Sequence, residues 1–210
     1  FIIEEGRFLN TILDILEEKL KEGVEVRIMY DDIGSIGKVR MGYARKLRKR
    51  GFDAQVFRPF LPFISTVHNN RDHRKIMVID NRVAFTGGIN LSDEYINRTS
   101  RLGHWKDTAI ALRGDAVRSL TLMFLQMWDA ASSKSKNEEN YEQYLVPADY
   151  KLPEVYKADG FVMPYADSPL DEEQVGEQVY LDILNQAKSY VHIITPYLIL
   201  DDGMKNAMAY

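Results

Sequence analysis

Residues His73 to Asn90 read HRKIMVIDNRVAFTGGIN, and the rest of the chain is best understood outward from them. The apolar residues in 75–80 and 82–85 predict two short strands, with a turn between them at Asp80 and Asn81. Six residues of this stretch follow a fixed spacing, H-x-K-x4-D-x6-G-G-x-N, a pattern that chance rarely produces. The stretch therefore carries both a structural pattern and a chemical one.

The first two letters of the pattern, His73 and Lys75, favour phosphate chemistry. Residues two apart on a strand point to the same side, so these side chains are expected to share a face. An imidazole nitrogen can attack phosphorus while the ammonium neutralises the non-bridging oxygens of a phosphate diester. A cationic neighbour also lowers the histidine pKa and keeps the attacking nitrogen unprotonated at neutral pH.

The remaining letters extend this predicted phosphoryl site. Gly87 and Gly88 would allow backbone N–H groups to approach an anion, and the Asn90 amide would add another donor. Asp80 is the acid of the pattern. Strand alternation places it on the opposite side, where we expect it to tie the turn to the sheet. The site needs neither a metal nor another cofactor. A surface histidine followed by an ordinary turn is the alternative interpretation, and the spacing argues against it.

Composition excludes several classes of protein. The chain has 210 residues with 27 basic and 31 acidic side chains, a net charge of −4 that disfavours a polybasic protein coating nucleic acid. It has no cysteine, hence no disulfide, thiolate metal site or cysteine nucleophile. No apolar run approaches the ~20 residues that span a bilayer, so we expect this stretch to be soluble. The start lacks Met and a signal-peptide pattern, as expected for a piece of a longer protein.

Helical and extended patterns alternate along the chain. Helices are predicted over 7–21, 37–50, 114–132 and 170–189, and further strands over 24–30, 54–57, 107–112 and 190–195. This order predicts an α/β fold with a mixed sheet covered by helices on both faces. Residues 132–140 are polar and indicate a surface linker.

The motif resembles the HKD motif of the phospholipase D superfamily, and its surroundings resemble the bacterial cardiolipin synthase family. The resemblance spans nearly the whole chain and is carried by residues 23–27, 31–35, 70–75, 85–95, 104–108, 124–128 and 195–197. It implies a phospholipase D-like mixed sheet flanked by helices. It also implies a first repeat at 1–132, a polar linker at 133–160, and at 161–210 the start of a second repeat that stops before its own motif.

The resemblance further implies phosphatidyl transfer through a phosphohistidine, at a site where two HKD motifs meet. His73 matches the nucleophile, while Lys75 and Asn90 match the phosphate-binding residues. Asp107 falls where the family often places an acid that hydrogen-bonds a catalytic histidine. Many superfamily members have Ser at the position of Gly88. The glycine lacks the serine hydroxyl, so one possible donor to the phosphate is missing here. The implied reaction joins two phosphatidylglycerol molecules into cardiolipin and glycerol at the cytoplasmic membrane.

Only one such motif occurs in the sequence. His104 and Lys106 repeat the H-x-K spacing, but no acid or G-x-N pattern follows at the right distance. One histidine supplies half of a double displacement, because the reaction needs both a nucleophile and an acid. The site is therefore expected to be completed by the second HKD repeat of the intact chain or by a second copy of this one.

Three alternatives stay open from sequence. The motif does not separate a transferase from a phospholipase D-type hydrolase or a nuclease, although a nuclease fits poorly with the net charge. A non-catalytic lipid-binding module would keep the motif without using it. The segment 38–50, with seven cations and no acid, fits either anionic lipid headgroups or an ordinary solvated helix.

Overall fold

The computed structural model describes residues 1–59, 71–101, 103–132, 140–144, 160–167, 173–195 and 197–209. These residues form two compact units, Phe1–Val162 and Met163–Tyr210. The first unit contains all of residues 73–90, the HKD stretch. Most of the predicted linker 133–160 lies outside the described residues, and the division into two repeats stays a prediction.

The first unit begins with a βαβ arrangement. Helix α1 (Arg7–Lys21) leads to strand β1 (Arg27–Asp31), a single helical turn α2 (Asp32–Ser35), helix α3 (Tyr43–Lys49) and strand β2 (Asp53–Phe57). β1 and β2 pair in parallel, as expected when a helix crosses between two strands. Their apolar residues pack with those of α1 and α3 into the main core, which contains Leu9, Leu13, Val26, Tyr30, Tyr43, Ala44, Leu47, Phe52 and Ala54.

The HKD stretch forms part of a second, antiparallel sheet. Strands β3 (Ile76–Ile79), β4 (Val83–Gly87) and β5 (Ala109–Arg113) pair in the order β3-β4-β5. Helix α4 (Ala116–Ala131) covers one face, where Ala84 of β4 and Val117 of α4 are completely buried. Asp80 and Asn81 form the tight turn between β3 and β4, both in the left-handed region.

Helix α4 connects the two sheets by contacting β2 as well as β3, β4 and β5. Ala54 of β2 belongs to the core with α1 and α3, whereas Phe57, on the other face, lines a small cavity with Met123 and Met127 of α4. The first sheet therefore has helices on both faces. The α/β class is confirmed, and the described strands form two small sheets, where the sequence led us to expect one mixed sheet.

Two predicted elements differ from the structure. The helix predicted over 37–50 occupies only Tyr43–Lys49, because Gly37 and Gly42 adopt left-handed φ angles of 73° and 75° that a helix does not continue through. The strand predicted over 190–195 is wrong. That segment has no regular structure, and the described residues of its unit include no neighbouring strand to complete a ladder.

The second unit contains helices α5 (Val175–Gln186) and α6 (Asp202–Ala209), which pack on each other. Helix α5 confirms the helix predicted over 170–189, with closer bounds. Among the residues that the structure describes, no helix combines the length and apolar character that crossing a bilayer requires.

Candidate active site

His73 and Lys75 lie in direct contact at the entrance to β3. Residues 71–75 precede the strand and belong to no ladder, yet the two side chains share a side as expected. Lys75 Nζ is 3.1 Å from His73 Nδ1 and 3.2 Å from Nε2, and it donates to the His73 carbonyl oxygen at 2.6 Å. An ammonium this close disfavours a second positive charge on the imidazole, so this arrangement favours unprotonated His73.

Burial lowers the basicity of both groups, and the Lys75 charge adds to the effect on His73. Desolvation, followed by the Lys75 charge, lowers the pKa of His73 below its ordinary value. Desolvation lowers the pKa of Lys75 to about 8, against the opposing effects of the nearby carboxylates of Asp107 and Asp72. The site thus combines an unprotonated ring nitrogen with a partly buried cation, an arrangement that suits an incoming phosphate anion.

The other residues of the 71–75 segment are anchored by charged side chains. Arg74 Nε donates to Asp72 Oδ1 at 2.7 Å. Arg71 Nη1 donates to the Arg58 carbonyl at 2.9 Å and lies 3.5 Å from the buried carboxylate of Asp31. That carboxylate also accepts from the backbone N–H of Gly34 at 2.9 Å. These bonds hold the backbone on both sides of His73 and fix where His73 and Lys75 lie.

Asp107 lies within electrostatic range of Lys75, just before β5. Its Oδ1 accepts from the backbone N–H of Thr108 at 2.7 Å, and its Oδ2 accepts from the indole N–H of Trp105 at 3.3 Å. The structure brings this carboxylate to the Lys75 side of the site. The hydrogen bond to a catalytic histidine implied by the resemblance stays a prediction.

Gly87 and Gly88 lie where the end of β4 packs closely on residues 107–109. The N–H of Gly88 donates to the Thr108 carbonyl at 3.0 Å, so the sheet edge already uses this donor. A Cβ at Gly87 would lie 2.3 Å from the Thr108 carbonyl oxygen, and one at Gly88 would lie 2.2 Å from Asp107 Oδ1. The glycines therefore allow residues 107–109 to approach β4 closely, and their expected contact with an anion stays a prediction.

Asn90 is also an anchor in this structure. It is buried, its Oδ1 accepts from the N–H of Ile2 at 2.9 Å, and its Nδ2 donates to the Tyr95 hydroxyl at 2.6 Å. One Nδ2 hydrogen is left over from these bonds, and the phosphate contact expected of Asn90 stays a prediction. Asp80 is exposed in the β3–β4 turn. There the side-chain bond across to α4 is made by Asn81, which accepts from Thr121.

Three neighbours of the site were missed from sequence. The ring of Phe1 lies 4.5 Å from that of His73, centroid to centroid, and no local pattern connects residues 72 positions apart. Asp72 acts electrostatically on both His73 and Lys75, although strand alternation assigned it to the other side. Tyr95 packs on Trp105 with ring centroids 5.2 Å apart. Aromatic residues near a motif were the available signal for this pair.

Three of the seven cations in segment 38–50 form ion pairs within the fold. Lys46 lies 2.6 Å from Glu5, Lys38 lies 3.1 Å from Glu4, and Arg50 pairs with Asp14 and Glu17 of α1. These contacts fit the solvated-helix interpretation for the paired cations. Arg40, Arg45 and Lys49 are exposed and remain the candidates for an anionic lipid surface.

The comparisons with known proteins agree with the site. The family described as "Cardiolipin synthase, PLD-like domain" matches residues 8–128. The chain is 54% identical over its full length to an uncharacterized protein of Streptococcus mutans, covering 44% of that protein. It is 37% identical to a cardiolipin synthase of Alkalihalophilus pseudofirmus and 36% identical to one of Staphylococcus aureus, in each case over 99% of this chain and 40% and 41% of the relative.

The chain therefore spans less than half the length of these relatives. The matched region contains α1, both sheets and most of α4, and it includes every residue proposed for the site. The resemblance to this family, noted in the sequence from its motif, is confirmed. One such motif occurs in the 210 residues. The chain belongs to the cardiolipin synthase family with a phospholipase D-like domain.

Proposed function

We propose that this chain carries one half of the active site of a phosphatidyltransferase that converts two phosphatidylglycerol molecules into cardiolipin and glycerol. The contact of Lys75 with His73 is the observation that carries the proposal. A half-buried lysine held against a histidine has no obvious stabilising role, because each group disfavours the charge of the other. An anionic substrate removes this repulsion.

In the first step His73 is the nucleophile. Its ring nitrogen attacks the phosphorus of phosphatidylglycerol, a P–N bond forms, and the P–O bond to the glycerol headgroup breaks. The Lys75 ammonium moves from the imidazole to the non-bridging oxygens and neutralises the charge that develops on them. The departing alkoxide takes a proton from a general acid and leaves as glycerol.

In the second step a headgroup hydroxyl of another phosphatidylglycerol attacks the phosphohistidine. Its proton returns to the group that acted as the acid, the P–N bond breaks, and cardiolipin leaves with His73 restored. The same phosphohistidine attacked by water would give phosphatidic acid. The acceptor hydroxyl therefore separates the synthase from the hydrolase.

The general acid is the missing half of the site. We propose that it is the histidine of a second HKD motif, which comes from the second repeat of the intact chain or from a second copy of this one. The substrate proposal also requires an anionic membrane surface, and we expect the intact protein to work at the cytoplasmic membrane. The net charge of −4 gives no general attraction to nucleic acid.

The test is to incubate the protein with phosphatidylglycerol vesicles and to resolve the lipid products, with the 210-residue chain assayed over a range of concentrations beside the intact protein. We expect cardiolipin and glycerol in equal amounts. His73→Ala should lower the rate by at least about 10³-fold, since nucleophile removal abolishes covalent catalysis. The matched control is His192→Gln, because this exposed histidine lies in the second unit.

Each outcome has a distinct meaning. A rate that rises with the square of the chain concentration would indicate that two copies complete the site, and activity confined to the intact protein would indicate the second repeat. Phosphatidic acid as the sole product would replace the synthase with the hydrolase. Vesicle binding without any product, unchanged by His73→Ala, would identify a non-catalytic lipid-binding module.

A further inference from the structure

A group of aromatic and amide side chains lies behind Asp107. Asn97 binds both backbone groups of Trp105: its Oδ1 accepts the Trp105 N–H at 2.6 Å, and its Nδ2 donates to the Trp105 carbonyl at 2.8 Å. The Trp105 ring packs on Tyr95, whose hydroxyl accepts from buried Asn90. Trp105 is thus held from its backbone and from its ring.

The indole N–H of this fixed tryptophan donates to Asp107 Oδ2. The other carboxylate oxygen accepts from the backbone N–H of Thr108. Two donors on rigid supports define the plane of the carboxylate, and Gly88 leaves it the space to lie there. The placement of Asp107 therefore depends on a residue that takes no part in the HKD pattern.

We infer that Trp105 is a positioning residue, whose indole N–H holds the Asp107 carboxylate in the orientation that acts on Lys75. This inference rests on the proposed function only in that it concerns the same site. Through Asp107, Trp105 sets how much positive charge Lys75 retains for the phosphate. Asn90, the last residue of the motif, is thus connected through Tyr95, Trp105 and Asp107 to Lys75 near its start.

The charged groups around Lys75 define what the inference predicts. Asp107 and Asp72 favour its protonated form, whereas burial and any charge on His73 oppose it. A less ordered Asp107 carboxylate gives weaker support to the ammonium. Lys75 should then lose its proton at a lower pH than in the unaltered chain.

The test is the NMR titration of lysine side chains in the ¹³C-labelled 210-residue chain, with the Lys75 signal assigned by its absence in Lys75→Met. Trp105→Phe keeps a ring against Tyr95 and removes only the N–H donor. We expect the Lys75 midpoint to move to lower pH in Trp105→Phe and further in Asp107→Asn. Trp128→Phe, a change in helix α4 away from Asp107, should leave the midpoint where it was.

A second variant guards against loss of folding. Asn97→Ala leaves the indole in place and removes the two bonds that hold the Trp105 backbone, so its Lys75 midpoint should move in the same direction. In the lipid assay Trp105→Phe should slow turnover by about 10-fold. A Lys75 midpoint unchanged in both Trp105→Phe and Asn97→Ala, while Asp107→Asn moves it, would overturn the inference. The titration does not require turnover, so failure of the proposed function would leave its result readable.

Discussion

Two groups of cations in the first unit are arranged in opposite ways. Lys46 of α3 and Arg50 at its end lie near the surface in contact with acids of the preceding segments, in a 2.6 Å pair with Glu5 and a 3.1 Å pair with Asp14. At the site, Lys75 contacts a histidine ring and a carbonyl oxygen. The nearest acids, Asp72 and Asp107, act on it at longer range.

The difference separates charge that serves solubility and packing from charge that is available to a ligand. Exposed ion pairs contribute little to stability, and each charge in them is already neutralised by its partner. The Lys75–His73 pair instead disfavours its own charged state, as the lowered pKa values of both groups indicate. Functional sites commonly accept such a local cost, because a ligand of opposite charge relieves it.

The largest expected effect comes from removing one cation of each kind. Lys75→Ala should lower kcat/KM for phosphatidyl transfer by about 10² to 10³-fold, because the transition-state charge loses its neighbouring ammonium. Lys46→Ala removes an equal charge from the surface and should leave kcat/KM unchanged, with about 0.5 kcal/mol or less lost from the free energy of unfolding. Initial rates on phosphatidylglycerol vesicles and urea titrations measure the two quantities.

Equal losses of rate in the two lysine variants would mean that general attraction to the anionic surface dominates, and the comparison would fail. Lys75→Arg sharpens it further. Arginine retains the charge but presents a planar fork, which does not reproduce the point contact of the ammonium with the imidazole. We expect Lys75→Arg to recover only a small part of the lost rate.

A smaller effect is expected at Gly88, where the space for Asp107 is determined. The Cβ of Gly88→Ala would start 2.2 Å from Asp107 Oδ1, so the carboxylate must move by about 1 Å to reach ordinary contact. A displacement of that size at a site costs up to about 10²-fold in rate, and we expect a loss of 10-fold or more. Gly203→Ala in α6 is the control, because its Cβ would meet Asp201 at an ordinary 3.4 Å.

Gly88→Ala should lower the free energy of unfolding by about 1 kcal/mol or less, because the obstacle is a single side chain. A variant with the rate of the unaltered protein would show that the position of Asp107 does not matter. Ser occupies this position in many superfamily members. Its accommodation here would therefore require a different placement of the acid.

The sequence predicted the parts of this molecule that local rules determine. The periodicity of α1, the turn at Asp80 and Asn81, and the contact of Lys75 with His73 all follow from spacings of a few residues. The α/β class followed from the alternation of these patterns. In each case the determining residues are neighbours along the chain.

The parts that sequence did not predict depend on distant segments. The N–H of Gly88 bonds to the Thr108 carbonyl, and Asn90 binds the backbone of Ile2, 88 positions away. These bonds were not predicted, because a short motif does not show which protein groups already use its donors and acceptors. The contact of Phe1 with His73 was not predicted either, because the two residues are far apart along the chain.

The smallest effect concerns the pH dependence of folding. Because burial lowers the pKa of Lys75 from 10.5 to about 8, the folded chain releases this proton at lower pH than the unfolded chain does. Below about pH 8 both states hold the proton, and the charged amine disfavours folding by a constant amount. Between about pH 8 and 10.5 the unfolded state binds more protons, so this contribution makes the free energy of unfolding rise with pH.

Lys75→Met removes this contribution and keeps most of the side-chain volume. We expect a higher free energy of unfolding than in the unaltered chain at pH 7, on the order of 1 kcal/mol because solvent screens a half-buried group. The advantage should shrink between pH 8 and 10.5, and tyrosines that titrate in that range cancel in the difference between the two proteins. Lys46→Met is the matched control, without such a trend. Parallel urea-unfolding profiles for Lys75→Met and the unaltered chain from pH 7 to 10 would mean that Lys75 is not held at a cost, and the contrast with the cations of α3 would then lose its basis.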